Sequence, residues 1–169
     1  NVKKFWVANK KLLKGKKINK SDLVMKRYND ELLNPRNIED LVGRTINQDI
    51  KKDEAIRNIF FKKKICALIL VRSNSKRLPN KAYLQIEGES IISHLIKRVK
   101  KIKILDEIIL CTTKNKSDDD LIDIAKKNNI SFFRGSNNNV LKRMLDSVNN
   151  KNYDIIIRIT GDDILIDPE

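Results

Sequence analysis

Ile65-Cys66-Ala67-Leu68-Ile69-Leu70-Val71-Arg72-Ser73-Asn74-Ser75-Lys76-Arg77-Leu78-Pro79-Asn80-Lys81 decides the fold of the larger part of this chain. Its first seven residues are apolar on both faces, partly β-branched and bounded by charge, which predicts a buried strand. The ten that follow put cations and hydroxyls at the end of that strand. In an open α/β sheet, ligands bind outside the carboxyl ends of the strands. Several cations in one loop repel one another unless an anion sits among them. A nucleoside triphosphate fits such a loop. Plain solvent fits it too, because a Lys/Arg loop is ordinary in a Lys-rich chain.

Downstream of that stretch, strand-like and helix-like runs alternate. Ile65–Val71, Glu107–Thr112, Ser131–Arg134 and Ile155–Ile159 read as strands. Ser90–Lys103 puts Ile91, Ile92, Leu95, Ile96 and Val99 on one helical face. Asp118–Asn128 does the same with Leu121, Ile122, Ile124 and Ala125, and Asn139–Asn149 with Val140, Leu141, Met144, Leu145 and Val148. This alternation predicts a mostly parallel, Rossmann-like sheet with helices on both faces.

Upstream, the pattern is different. Residues 1–60 contain only short runs, and Ile38-Glu39-Asp40-Leu41-Val42-Gly43 reads as one helical turn closed by glycine. A small, irregular, mostly β domain is expected there, marginal on its own at that size. Residues 61–64 read as a linker to a second domain at 65–169, although Phe60-Phe61 implies packing against something.

Composition narrows the function classes. The formal net charge is +14, from 36 basic and 22 acidic residues among 169. Such an excess raises nucleic acid as a partner. However, the lysines are spread along the chain among Asp and Glu, with no Arg-rich arm and no regular aromatic interleaving to stack bases. Nucleic acid is therefore set aside. Cys66 and Cys111 sit in apolar runs and read as reduced, buried thiols. No Cys/His cluster has metal spacing. There is no membrane-length apolar run and no signal peptide, so no membrane partner is expected and the location is read as cytoplasmic. The chain opens on Asn1 and stops at Glu169 just past a strand, so it is expected to be a piece of a longer protein.

Arg158-Ile159-Thr160-Gly161-Asp162-Asp163 follows the last strand and brings carboxylates to the same sheet edge as the basic loop. A carboxylate facing a phosphate loop makes sense if a divalent cation bridges them. Thr160 and Gly161 would permit close approach of a ligand. An Asp pair in a turn after a strand is the plainer alternative. Asp118-Asp119-Asp120 invites a metal reading, but Ser117 and Asp118 as helix caps, with acids in the first turn, account for it. Gly135-Ser136 fits either a nucleotide contact or an ordinary turn and cap. His94 lies among apolar neighbours and reads as structural.

Three motifs in order carry a family resemblance: Arg72-x-x-Ser75-x-Arg77-Leu78-Pro79-x-Lys81; Gly135-Ser136 with Val140-Leu141-x-Arg143; and Ile157-Arg158-Ile159-Thr160-Gly161-Asp162 through Glu169. With them, residues 65–169 resemble the N-terminal part of the sugar cytidylyltransferases. These include the acylneuraminate enzymes, and the nearer branch is that of spore coat polysaccharide biosynthesis protein F. The resemblance implies that Arg72, Ser75, Arg77 and Lys81 hold the triphosphate of CTP. It also implies that Arg72 and Lys81 support the transfer, that Ser136 touches the nucleotide, and that Asp162 binds Mg²⁺. Asn139 stands where the family usually has Asp.

Residues 1–60 resemble a SAF, or antifreeze-like, domain of the β-clip kind. The residues are Lys14-Gly15, Ser21 to Arg27, Asn34 to Gly43 and Asp49 to Asp53. In sialic-acid-type synthases this module follows a catalytic barrel, and an arginine matched by Arg27 reaches a partner subunit's sugar site. Together the resemblances imply a fragment of a fused nonulosonic acid synthase–cytidylyltransferase, with CTP and an acidic sugar as partners and a homo-oligomer as the full-length state. The fragment alone is expected to be inactive. The alternatives are a nucleotidyltransferase for another sugar or polyol, and a non-catalytic SAF-type module with a degenerate second domain.

Overall fold

The computed structural model describes residues 4–27, 37–75 and 78–169. The chain forms two compact units, residues 1–62 and 63–169.

Among the described residues, the first unit holds one antiparallel pair, β1 (Lys4–Ala8) with β2 (Leu23–Arg27). Isolated bridges knit the rest together: Val7 to Ala55, Leu12 to Ile50, Lys17 to Thr45 and Ile46 to Phe61. The short runs seen in sequence are single inward-pointing residues on bridging segments. Leu12, Ile18, Leu41, Ile46, Ile50 and Ile56 converge on one core. Phe60 and Phe61 belong to that core, so Phe61 is core rather than linker. Ile38–Asp40 is a single 3-10 turn, and Gly43 follows it at φ +86°, where glycine is at ease. Asp22 is buried at 1% exposure. Its carboxylate accepts the Asn19 amide at 3.0 Å and pairs with Lys16 at 2.9 Å and Lys10 at 3.1 Å. Burial pushes its pKa up, but the amide and the two ammonium groups outweigh that and hold it below the ordinary carboxylate range.

The second unit is built on a parallel sheet of β3 (Ile65–Leu70), β6 (Glu107–Thr113), β7 (Ser131–Gly135) and β8 (Ile155–Thr160), in the order β7-β6-β3-β8. β3 lies inside the sheet, which is why Cys66, Ala67, Leu68 and Ile69 are all fully buried. Helices α1 (Ile91–Val99) and α2 (Asp119–Lys127) cover one face, burying Ile92, Leu95, Leu121 and Ala125 against Ala67, Ile69 and Leu110. Helix α3 (Val140–Val148) lays Met144 and Val148 over Cys66, Leu68 and Cys111 on the other face. The first helix is shorter than Ser90–Lys103, because the chain turns away at Lys100. A small hairpin, β4 (Gln85–Ile86) and β5 (Glu89–Ser90), precedes α1. Its turn residues Glu87 and Gly88 both have positive φ, as a tight two-residue hairpin needs.

Candidate active site

The strand order fixes where a ligand sits. After β3 the chain adds β6 and β7 on one side, and then crosses to place β8 on the other. Ligands of open α/β sheets bind at such a reversal, outside the carboxyl ends of the strands, here β3 and β8. The basic loop leaves β3 there, and Gly161-Asp162 leaves β8 directly opposite. The backbones touch: the Gly161 amide donates to the Leu70 carbonyl at 2.9 Å. A Cβ on Gly161 would stand 2.7 Å from Val71 Cβ and Cγ2. Gly161 thus admits a neighbouring strand end.

Lys81 and Asp162 meet beyond these two strand ends, Nζ to Oδ2 at 2.5 Å. Lys81 opens a 3-10 turn through Tyr83, entered from Asn80 at φ +58°. Its ammonium is the main cause of the lowered pKa of Asp162, so Asp162 is ionised at neutral pH. Arg72 stands exposed at the strand end, and Ser75 is half-buried with its amide on the Ser73 carbonyl at 3.0 Å. Arg77 lies outside the described residues.

Ser136 is elsewhere. It follows β7, two strands from β3, and acts as turn chemistry. Its Oγ accepts the Asn139 amide at 3.1 Å and its carbonyl accepts Arg143 Nη1 at 2.8 Å. It also lines a cleft of about 400 Å³ with Lys114, Arg134 and Asn137. Asn139 caps α3 by accepting the Lys142 amide at 2.8 Å, work its oxygen performs as an Asp would. Gly135 is required for close packing: a Cβ would fall 2.9 Å from Arg143 Cγ. Arg27 is exposed on β2 of the first unit.

Three polar residues at the sheet end were not legible as site residues. Asp118 was read as a helix cap. It does occupy that position on α2, but its carboxylate caps nothing. It is 1% exposed and accepts from Ser73 N at 2.8 Å, Ser73 Oγ at 2.6 Å, Thr112 Oγ1 at 2.7 Å, Thr113 N at 3.1 Å and Thr113 Oγ1. Burial alone would raise its pKa; these donors override burial and bring it to about 2. Ser73, the second, is 2% exposed and binds Asp118 through both its amide and its hydroxyl. Arg143, the third, is 3% exposed, and its Nε has no hydrogen-bond partner. Burial pushes this guanidinium below its ordinary value, and so does Arg72, while Asp118 opposes them. Two polar threonines closing an apolar strand, with Asp five residues on, were the available signal.

A divalent cation can be tested against these side chains. Among the described residues, no group of three or more His, Cys, Asp or Glu could enclose one. Mg²⁺ does not need such a cage, since it binds through one or two carboxylates with water and substrate phosphates. The ionised, half-exposed Asp162 fits that mode.

A parallel sheet with a reversal at its first strand, a cationic loop after β3 and a carboxylate after β8, defines a nucleotidyltransferase-like α/β unit. Residues 66–169 match the family model described as cytidylyltransferase, and the chain belongs to that family. Residues 6–59 match the model of the SAF domain. An uncharacterized protein of Methanocaldococcus jannaschii is 39% identical over 102 residues, 60% of this chain and 42% of that protein. The spore coat polysaccharide biosynthesis protein SpsF of Bacillus subtilis is 31% identical over 109 residues, 62% and 45% of the two chains. The solved structure of a cytidylyltransferase from Leptospira borgpetersenii superposes at a TM-score of 0.60 with 40% identity, covering 63% of this chain and 44% of that one. A CMP:2-keto-3-deoxy-manno-octonic acid synthetase complexed with CTP shares the fold at a TM-score of 0.55 and 23% identity, covering 63% and 43%. The chain thus spans less than half the length of these relatives. Among the described residues, no helix is long and apolar enough to cross a membrane.

Proposed function

We propose that the second unit binds CTP and serves cytidylyl transfer to an acidic sugar, with release of pyrophosphate. The observation that carries this reading is the Lys81–Asp162 ion pair, which joins the basic loop after β3 to the carboxylate after β8 at one end of the sheet. Membership of the cytidylyltransferase family supports the nucleotide. The acidic-sugar acceptor follows the resemblance of residues 65–169 to the sugar cytidylyltransferases that include the acylneuraminate enzymes.

In the transfer, an acceptor hydroxyl oxygen attacks the α-phosphorus in line. The bond from that phosphorus to the bridging oxygen breaks, its electrons leave with pyrophosphate, and the hydroxyl proton passes to solvent. Arg72, Ser75, Arg77 and Lys81 would bind and orient the β- and γ-phosphates, and their charge would stabilise the leaving group. Asp162 would hold Mg²⁺, which when bound draws charge from the phosphate oxygens. Ser136 would lie on the nucleoside side through the turn after β7.

The first unit, taken as residues 1–60 and followed by a linker, would be the SAF module of a sialic-acid-type synthase fused to this enzyme. Arg27 would serve the synthase's sugar site in a homo-oligomer. Calorimetry with CTP and Mg²⁺ tests the nucleotide reading. Saturable binding that weakens in Arg72→Ala and Lys81→Ala is expected, and binding unchanged in the double variant would refute it. Pyrophosphate release in the full-length protein, assayed with a panel of nonulosonic acids, tests the acceptor.

A further inference from the structure

We propose that Asp118 is the positioning residue of the basic loop. It is a buried carboxylate that, through Ser73, sets where Arg72, Ser75 and Lys81 stand. The proposal rests on the reading of this loop as a triphosphate site and adds the device that shapes it.

The geometry begins at the carboxylate. Five donors converge on Asp118, two from Ser73 and three from Thr112 and Thr113. A carboxylate only accepts, so it suits that shell; an amide would turn two N–H groups toward other donors. Thr112 and Thr113 belong to β6, which is rigid, and Ser73 belongs to the loop. Asp118 therefore ties the loop to the sheet.

Ser73 passes the constraint on. Its amide is bound, which fixes the peptide joining it to Arg72 and so the direction in which Arg72 leaves the strand. Its carbonyl accepts the Ser75 amide at 3.0 Å and the Asn80 amide at 2.9 Å. The outgoing and returning ends of the loop thus meet on one residue, and Lys81 follows directly. Tyr83 adds a second tie to the same segment, its hydroxyl donating to the Ser117 carbonyl at 3.1 Å. Cations that repel one another would otherwise splay apart; a loop fixed in advance spares a triphosphate the cost of ordering it.

The test uses the whole chain carrying Asp118→Asn. Amide exchange without nucleotide should speed up at Ser75 and Asn80 and stay slow at Leu68 in β3. CTP affinity with Mg²⁺ should fall about tenfold, the equivalent of one charge-assisted hydrogen bond. Unchanged exchange at Ser75 and Asn80, or equal acceleration through β3, overturns the tether. Unchanged CTP affinity with accelerated exchange overturns the positioning role. If Asp118→Asn does not fold, Ser73→Ala, which removes one donor only, decides by the same readings with a smaller expected loss. Should the native chain fail to bind CTP, the triphosphate reading falls, and the exchange data still decide the tether.

Discussion

Lys81 and Asp162 form an ion pair, although each is proposed to serve a different part of one ligand. That has opposite consequences for the two residues. Lys81→Met removes the proposed phosphate contact, and CTP affinity with Mg²⁺ should fall by roughly 10- to 100-fold, the range for a charge-assisted bond. Asp162→Asn removes the competitor for the lysine. In EDTA it should bind CTP at least as tightly as the native chain; with Mg²⁺ it should bind more weakly. Calorimetry in both buffers separates these cases, and weaker binding by Asp162→Asn in EDTA would contradict the assignment. Asp118 sets a pH limit of another kind. Its pKa is about 2 in the folded state against an ordinary 3.8. A depressed carboxylate pKa contributes stability above the ordinary value, and that contribution is lost as pH falls through the folded value. The melting midpoint of the native chain should therefore drop between about pH 4 and pH 2, and Asp118→Asn should flatten that limb.

At the level of elements, close packing marks the place where the two strand ends meet at the reversal. Gly161→Ala would drive a methyl into Val71, an overpacking that costs roughly 1–3 kcal/mol. Thermal melting should show a lowered midpoint, and Val71→Ala in the same chain should restore part of it. No restoration would mean that the strain lies elsewhere. These contacts also mark how far the sequence could be read. The strand cores and helix faces announce themselves because burial forces period and composition: β3 is apolar on both sides because both sides are covered. The Arg72–Lys81 loop and Asp162 were legible because charge at a strand end is conspicuous. Asp118 was not, because Asp before a helix looks like a cap, and only the fold brings Ser73 to it from 45 residues away. The β4–β5 hairpin was missed because two-residue strands carry no period. Phe61 was assigned to a linker because bridges of single residues leave no run to follow.

On the scale of the whole molecule, two compact units imply two separable responses. The first unit contains the chain's one tryptophan, Trp6, packed against its core, whereas α1, α2 and α3 all lie in the second. Tryptophan fluorescence therefore reports on residues 1–62, and far-UV helix signal reports mainly on residues 63–169. Among the described residues, each unit also holds one buried carboxylate at its own crossing of segments, Asp22 and Asp118. Asp22→Asn loses the pairing that ties Lys10, Lys16 and Asn19 together, and should destabilise the first unit by about 1–3 kcal/mol. The fluorescence midpoint in urea should fall while the helix midpoint stays within error. Asp118→Asn should do the reverse. The same division governs ligand response. Arg27→Ala, in the first unit, should leave CTP affinity unchanged, while Arg72→Ala lowers it. If either carboxylate variant moved both midpoints together, the units would be one cooperative body. Arg27 would then have to be tested again, as a residue able to act on the nucleotide site through the fold.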